Sequence, residues 1–300
     1  MEQVTESIQI VEQTLRAAVE CSGVGLHSGV PVRMRILPAA VGTGIVFRRT
    51  DLDDFQVEAT GRNVAKVSYA TSLMKKGVLI STTEHVLSAF VGLGLDNAVV
   101  ELDNLELPIL DGSALHVVEM VQKVGLRRQK RARQYLRVLE PVEVREGEKF
   151  IGLYPAENFS VEYYIDFPEP IGKEQIKVDL SRGDYARDIA PARTFGFLHE
   201  VEALRNMGLI RGASEENAIV VTREGILNGP LRFPDEFVRH KVLDLIGDLS
   251  LIGHQVLGRV VAHRAGHAMH TALVSRLLRE RQLWELVPLA AAREAETVNA

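Results

Sequence analysis

An α+β architecture of two similarly built halves is what this sequence predicts, on three observations. The chain has 300 residues, beyond the length at which a single hydrophobic core keeps growing. Each half sets short β-branched runs ahead of an apolar helix. The stretch HVLSAFVG at 85–92 is echoed by HKVLDLIG at 240–247, each following a strand-rich region. Hydrophobic residues at 46% and charged residues at 25% exclude a disordered or fibrous chain.

Residues 30–36 (VPVRMRI) alternate, placing Val32, Met34 and Ile36 on one strand face and Arg33 and Arg35 on the other. Pro31 fits only at the start of that strand or on a sheet edge. Residues 44–47 and 97–102 are similar β-branched runs. Between them Ser81, Thr82 and Thr83 offer N-caps to a helix. Its Val86, Leu87, Phe90 and Val91 recur at helical spacing, and Gly92 and Gly94 close it. A second helix follows Asp111-Gly112-Ser113, with Leu115, Val118 and Val121 on one face. Residues 127–133 (RRQKRAR) hold five basic residues in seven. They read as a solvated interdomain linker dividing the chain into 1–128 and 129–300. A contact with anionic headgroups or nucleotide phosphates is the sharper alternative.

The second half restarts with strands at 135–144, 150–154 and 161–167, read as a meander that Pro168 and Pro170 end. From 195 to 221 the pattern is strand, helix, strand, with Val201 and Leu204 on the helix's apolar side and Gly208 at its C′ position. A long helix spans about 235–251. A last amphipathic helix aligns Leu273, Val274, Leu277, Leu278 and Trp284 in one core stripe.

On the long helix His240, Asp244 and Asp248 stand at i, i+4 and i+8, one polar stripe among Val242, Leu243, Leu245, Ile246 and Leu249. An exposed stripe or a structural His–Asp pair would account for it. So would two ligands of a divalent metal, since imidazole and carboxylate one turn apart suit zinc. With a single cysteine, Cys21, a thiolate cage is excluded, and any metal must be held by His, Asp or Glu. Glu84-His85 opens the earlier helix, and neighbouring helical side chains diverge by about 100°. One of the pair can therefore ligate while the other faces water. Together with His240 and Asp244 that gives three ligands and an open fourth position, the pattern of a catalytic site. His267 reads as a cationic or general-acid residue positioned by Asp248, while His263 and His270 read as surface or structural residues. Arg193-Thr194-Phe195 is either a strand start or a hydroxyl donor set between a cation and an aromatic wall. His27, in the turn GLHSG, reads as structural.

The segments GVGLHSG (23–29), STTEHVLSAFVGLGLDN (81–97), PILDGSA (108–114), ARTFGF (192–197), RHKVLDLIGDL (239–249) and AHRAGH (262–267) occur in that order. In these six motifs, and in a similarity that covers nearly everything from about residue 13 to residue 284, the chain resembles the UDP-3-O-acyl-N-acetylglucosamine deacetylases, zinc amidases of lipid A biosynthesis. The resemblance implies two α+β domains whose helices pack between two outer sheets. It implies zinc, with iron(II) an alternative, held by His85, His240 and Asp244. Glu84 would then be the general base, with Thr194 and His267 binding the oxyanion and Lys241 and Asp248 completing the polar site. Phe195 would wall the glucosamine ring, residues 195–221 would form the acyl passage, and Lys149 and Phe167 would hold the UDP portion. His116, in a stretch that departs from the family pattern, receives no role, and neither do the residues before the usual start.

The formal charge of −5 argues against a nucleic-acid binder. The N-terminus lacks a basic or apolar signal region, and no apolar run reaches bilayer length. A monomer in the cytoplasm of a Gram-negative-type bacterium, near the inner membrane, acting on an acylated UDP-sugar, is the resulting expectation. The competing readings are a zinc amidohydrolase for another acylated sugar or nucleotide, and a metal-binding protein without turnover.

Overall fold

The computed structural model describes residues 7–65 and 69–292. The first half runs β1 (Ser7–Gln9), β2 (Val11–Leu15), β3 (Val19–Val24), β4 (Pro31–Pro38), β5 (Ile45–Arg49) and β6 (Phe55–Glu58). The hairpin β7 (Leu73–Lys75) and β8 (Val78–Ile80) follows, then helix α1 (Glu84–Leu93), β9 (Ala98–Leu102) and α2 (Leu115–Val124). Five strands form a sheet in the order β3-β4-β9-β5-β6, with β9 antiparallel to β4 and parallel to β5. In β4 the alternation works as the sequence requires. Val32, Met34 and Ile36 are buried, while Arg33 and Arg35 pair with Glu20 and Glu101.

The second half runs β10 (Leu126–Ala132), β11 (Gln134–Val138), β12 (Val142–Glu146), β13 (Lys149–Tyr154), β14 (Phe159–Asp166), β15 (Lys173–Asp179) and α3 (Tyr185–Asp188). Next come β16 (Phe195–Phe197), α4 (Val201–Asn206), β17 (Ile219–Val221), α5 (Glu236–Leu249), β18 (Gln255–His263), α6 (His267–Arg279), β19 (Trp284–Pro288) and β20 (Ala290–Ala292). Strand β18 is antiparallel to β13 and parallel to β14, and β12 and β15 lie outside those two. The pattern of β3-β4-β9-β5-β6 thus recurs as β12-β13-β18-β14-β15, with a helix before and after each central strand. β11 and β19 extend the second sheet.

The helices make the inner layer. In α1, residues from Glu84 to Phe90 are all buried, and in α5 only Arg239 and Lys241 are not. Helices covered on nearly every side must lie between layers rather than on top of one. Gly247 lets α5 approach α1, because a Cβ there would collide with the Glu84 carbonyl oxygen.

Several expectations need correction. Residues 127–133 are not a linker: Leu126–Ala132 is a strand antiparallel to β2, and Arg133 is buried against Asp96. Charged side chains concealed this, since a two-stranded ribbon can expose most of them. The strand read at 135–144 is two strands broken at Pro141. The run 135–167 is no meander, because β14 pairs with β18 rather than with β13, and β15 had gone unnoticed. Trp284 belongs to β19, not to the last helix, though it is core, donating its Nε1–H to Leu277. Thr83 is the N-cap of α1 without making a side-chain cap bond. Its hydroxyl donates to Thr71, and that of Thr82 to Glu106.

Candidate active site

Three helices meet at the site. α1 brings Glu84 and His85 at its first turn, α5 brings His240, Asp244 and Asp248 on successive turns up to its C-terminal end, and α6 brings His267 as its first residue. Among these, the His85 and His240 rings lie 5.0 Å apart and almost perpendicular. Asp244 Oδ1 stands 3.7 Å from His85 Nε2 and 3.4 Å from His240 Nε2. That oxygen is buried and, among the described residues, has no hydrogen-bond partner. The polar stripe of α5 is therefore not solvated: His240 and Asp244 are each 2% exposed and Asp248 is 0% exposed.

This geometry fits a small divalent cation. Bonds of about 2.0–2.1 Å in a tetrahedron put neighbouring ligand atoms about 3.3 Å apart. His240 Nδ1 lies 3.0 Å from the Ala192 carbonyl, to which its N–H donates, leaving Nε2 bare. Burial, then the neighbouring His240, pulls His85 down to about 3, and burial likewise lowers His240, so both rings are neutral donors. Burial would raise Asp244, but His240, Lys241, His267 and His85 hold it well below the usual carboxylate range. Lys241 donates to Asp244 Oδ2 at 2.6 Å, leaving Oδ1 as the unused acceptor.

Beside this triad stand Glu84 and His267, their Oε1 and Nε2 atoms 3.9 Å apart. Burial pushes Glu84 up to about 8, with Asp248 and Asp244 adding to the shift and His267 opposing it. Burial opposes charge on His267 too, yet Asp248, Asp244 and Glu84 together raise it to about 9. Asp248 Oδ2 accepts from His267 Nδ1 and from His270 Nδ1, each at 2.8 Å, and Oδ1 accepts from the Thr71 hydroxyl. Asp248, His267 and His270 could also be taken for a metal triad. Their 2.8 Å separations are hydrogen-bond lengths, too short for two ligands on one ion. His270 is thus the structural residue of the two alternatives, fully buried with Nε2 3.0 Å from the Tyr163 hydroxyl.

Phe195 lies edge-on to Phe237 at 4.9 Å and to Phe167 at 5.4 Å, 6.4 Å from the His240 ring and under the Lys241 ammonium. Thr194 is tied by its N–H to Gly112 and by its carbonyl to Ile219, both at 2.8 Å. Phe195 and Lys241 thus border the cluster, with Phe167 on the far side of Phe195, while Thr194 makes no hydrogen bond to the cluster among the described residues. Lys149 is exposed at the start of β13 opposite Glu146, and among the described residues it makes no hydrogen bond or ion pair with the cluster. The backbone N–H of His27 is bonded to Glu106, while its ring Nε2 is buried and has no hydrogen-bond partner among the described residues.

Thr71 escaped the sequence reading. Its N–H donates to Glu84 Oε2 at 3.1 Å while its hydroxyl serves Asp248, which stands 177 positions away. A lone threonine in a turn carries no local signal of such a role. A cavity of about 310 Å³ lies elsewhere, at the opposite end of α1 among Phe90, Leu95, Arg133 and His254, and none of the cluster residues lines it.

Residues 12–279 match the family model described as LpxC, UDP-3-O-acyl N-acetylglycosamine deacetylase. The chain belongs to the LpxC family. It is 53% identical over 277 residues to a protein of Solibacter usitatus named UDP-3-O-acyl-N-acetylglucosamine deacetylase, covering 92% of this chain and 94% of that one. Proteins of the same name from Cellvibrio japonicus (92% and 93% covered) and Saccharophagus degradans (93% of each) are 43% and 42% identical. The LpxC match ends on the last residue of α6 and contains every residue of the cluster.

Proposed function

We propose that this protein removes the acetyl group from UDP-3-O-(3-hydroxyacyl)-N-acetylglucosamine, giving acetate and the free amine in lipid A biosynthesis. Membership of the family and three relatives of that name support the reading. The observation that carries the mechanism is the unpaired Asp244 Oδ1 facing two bare imidazole nitrogens, with the Glu84 carboxyl and the His267 ring alongside.

In this reading His85, His240 and Asp244 hold zinc, or iron(II) in its place. Such an ion would supply Lewis acidity, polarising the amide carbonyl and acidifying water. Glu84, lifted by burial and oriented by the Thr71 amide, takes the proton from the attacking water. The C–O bond forms as the carbonyl π-electrons move to oxygen, where the Thr194 hydroxyl and the His267 imidazolium stabilise them. Collapse breaks the C–N bond, and the proton passes to the leaving nitrogen. Asp248 keeps His267 oriented and charged, and Lys241 holds Asp244. Phe195 walls the sugar, residues 195–221 take the acyl chain, and Phe167 and Lys149 hold the UDP portion.

Residues 1–128 and 129–300 are the two domains of this reading, with the boundary falling inside β10. Among the described residues no helix is long and apolar enough to cross a membrane. A monomer on the cytoplasmic side near the inner membrane accords with a nucleotide-sugar substrate that carries an acyl chain. Acetate release from the acylated UDP-sugar tests the assignment. Release that stops with chelator and returns with zinc or iron(II) is the expected result. Acetate release indifferent to metal, or none at all from the metal-loaded protein, would overturn it.

A further inference from the structure

Glu106 takes no part in the chemistry above and yet is 2% exposed, a carboxylate set among two backbone amides and a hydroxyl. Burying a carboxylate without a cation is costly unless its acceptor positions are used. Here they are. Oε1 accepts from the His27 N–H at 2.8 Å and the Thr82 hydroxyl at 2.9 Å, and Oε2 accepts from the Ser28 N–H at 2.7 Å.

These partners belong to two segments with different duties. Thr82 stands two residues before Glu84 with φ of 59°, a left-handed conformation that a β-branched residue avoids unless its surroundings impose it. His27 and Ser28 form the turn between β3 and β4, and that turn carries the far end of the segment between β16 and β17. The Arg211 N–H donates to the His27 carbonyl at 3.1 Å and the Gly212 N–H to the Leu26 carbonyl at 3.0 Å. A Cβ at Gly212 would collide with the Gly25 carbonyl oxygen, so the two backbones are in direct contact. An unbroken run of hydrogen bonds therefore joins residues 211–212, the 26–28 turn, Glu106 and the backbone that presents Glu84.

We propose that Glu106 is a positioning residue that couples seating of the 195–221 insert to the orientation of Glu84, so that the substrate's acyl chain is felt at the scissile amide. The proposal rests on reading that insert as the acyl passage. An acyl chain that presses the insert onto the 26–28 turn fixes the amides that Glu106 accepts from. Glu106 in turn fixes the Thr82 hydroxyl and the first turn of α1. Remote binding is thereby converted into rate rather than affinity alone.

The test compares kcat and KM on two substrates, the 3-hydroxyacyl UDP-sugar and its counterpart with an acetyl-length chain, for the wild type, Glu106→Gln, Thr82→Ala, Thr82→Ser and the Glu106→Gln/Thr82→Ala double variant. Metal content is checked in each. The wild type should prefer the long chain, chiefly in kcat. Glu106→Gln and Thr82→Ala should each shrink that preference about tenfold, and the double variant should shrink it little further, since both cut one connection. Thr82→Ser keeps the hydroxyl and should keep the preference. Equal losses on both substrates would reduce Glu106 to a structural residue and overturn the coupling while leaving the passage intact. Absence of any chain preference in the wild type would overturn the passage and the coupling together. Should Glu106→Gln fail to fold, the Thr82→Ala and Thr82→Ser pair decides alone.

Discussion

Helix α1 of the first half and helix α5 of the second occupy equivalent places, each leading into the central strand of its sheet, β9 or β18. Both are buried almost throughout, and both contribute a histidine to one cluster. Beyond that they differ. Four and eight residues after His240 come Asp244 and Asp248, whereas the same steps from His85 reach Ala89 and Leu93. Before His85 stands Glu84, and before His240 stands Arg239, turned outward to Asp235. The repeated frame supplies two opposed helices, and the charges are divided between them without symmetry. α5 carries the carboxylates Asp244 and Asp248, which face His85, His240 and His267, while α1 brings Glu84 and His85 to the same cluster. A duplicated fold thus yields one unsymmetrical cluster, where the first turn of α1 meets α5 and the start of α6.

The largest effect should come from breaking the contribution of α5. His240→Ala should strip the metal and reduce acetate release to background, because one partner of the unpaired Asp244 oxygen disappears. Elemental analysis showing undiminished metal would remove His240 from the ligand set. Breaking the contribution of α1 at Glu84 should separate the two functions. Glu84→Gln should lower kcat by about 10²–10⁴-fold, the usual span for a general base, with metal content unchanged. Near-normal turnover would end that assignment.

Asp248→Asn sharpens the comparison by discharging the far end of the α5 stripe. His267, held up to about 9 chiefly against burial by Asp248, should titrate lower, and the basic limb of the kcat/KM profile should move down with it. The same shifts act on stability. In the metal-free protein Glu84 and His267 both have raised pKa values, to about 8 and about 9. Each therefore adds stability that is complete below its ordinary value and is lost as pH climbs through the raised one. On this linkage the metal-free melting temperature should fall from about pH 4.5 to 8 through Glu84 and from about 6.5 to 9 through His267, most steeply where the two overlap. The fall should be smaller in Asp248→Asn. A flat or rising melting curve over that interval would contradict both shifts.

Much of this comparison was legible in the residues. The alternation of β4, the apolar spacing of α1 and α5 and the His-x3-Asp-x3-Asp stripe are local, and local periodicity survives folding wherever one face is buried. That the polar stripe of α5 needs partners was legible, because imidazole and carboxylate in an apolar helix are costly alone, whereas the proposed ligand set of His85, His240 and Asp244 rests on the family resemblance. Pairing across the chain was not legible. Nothing near 161–167 says that β14 joins β18 rather than β13, and nothing near Thr71 points to Asp248. The basic run at 127–133 misled for a related reason: a strand in a two-stranded ribbon buries too little to show its period. The three hydroxyls before α1 suggested caps, and two of them instead donate to Thr71 and Glu106, partners that the first turn does not contain.

The smallest effect isolates what the shared glycine does in each helix. Seven residues after each histidine stands a glycine, Gly92 in α1 and Gly247 in α5, and both permit a close approach, but to different things. Gly247 meets the backbone of Glu84, whereas Gly92 meets the ring of Tyr185, whose hydroxyl donates to Ser88 at 2.7 Å. Alanine at position 92 gains about 1 kcal/mol of helix propensity over glycine. It must also displace a buried ring that cannot swing into solvent, and overpacking of that kind costs about 1–3 kcal/mol. The lost Tyr185–Ser88 bond adds about 1 kcal/mol. Gly92→Ala should therefore lower the melting temperature by a few degrees and disturb kcat less than Gly247→Ala does, since the ring it displaces is bonded to Ser88 and not packed on the backbone of Glu84. Gly247→Ala, at the equivalent step, should lower kcat further, because the backbone it displaces carries Glu84. If the two substitutions affected activity alike, the division of labour between the helices would not hold.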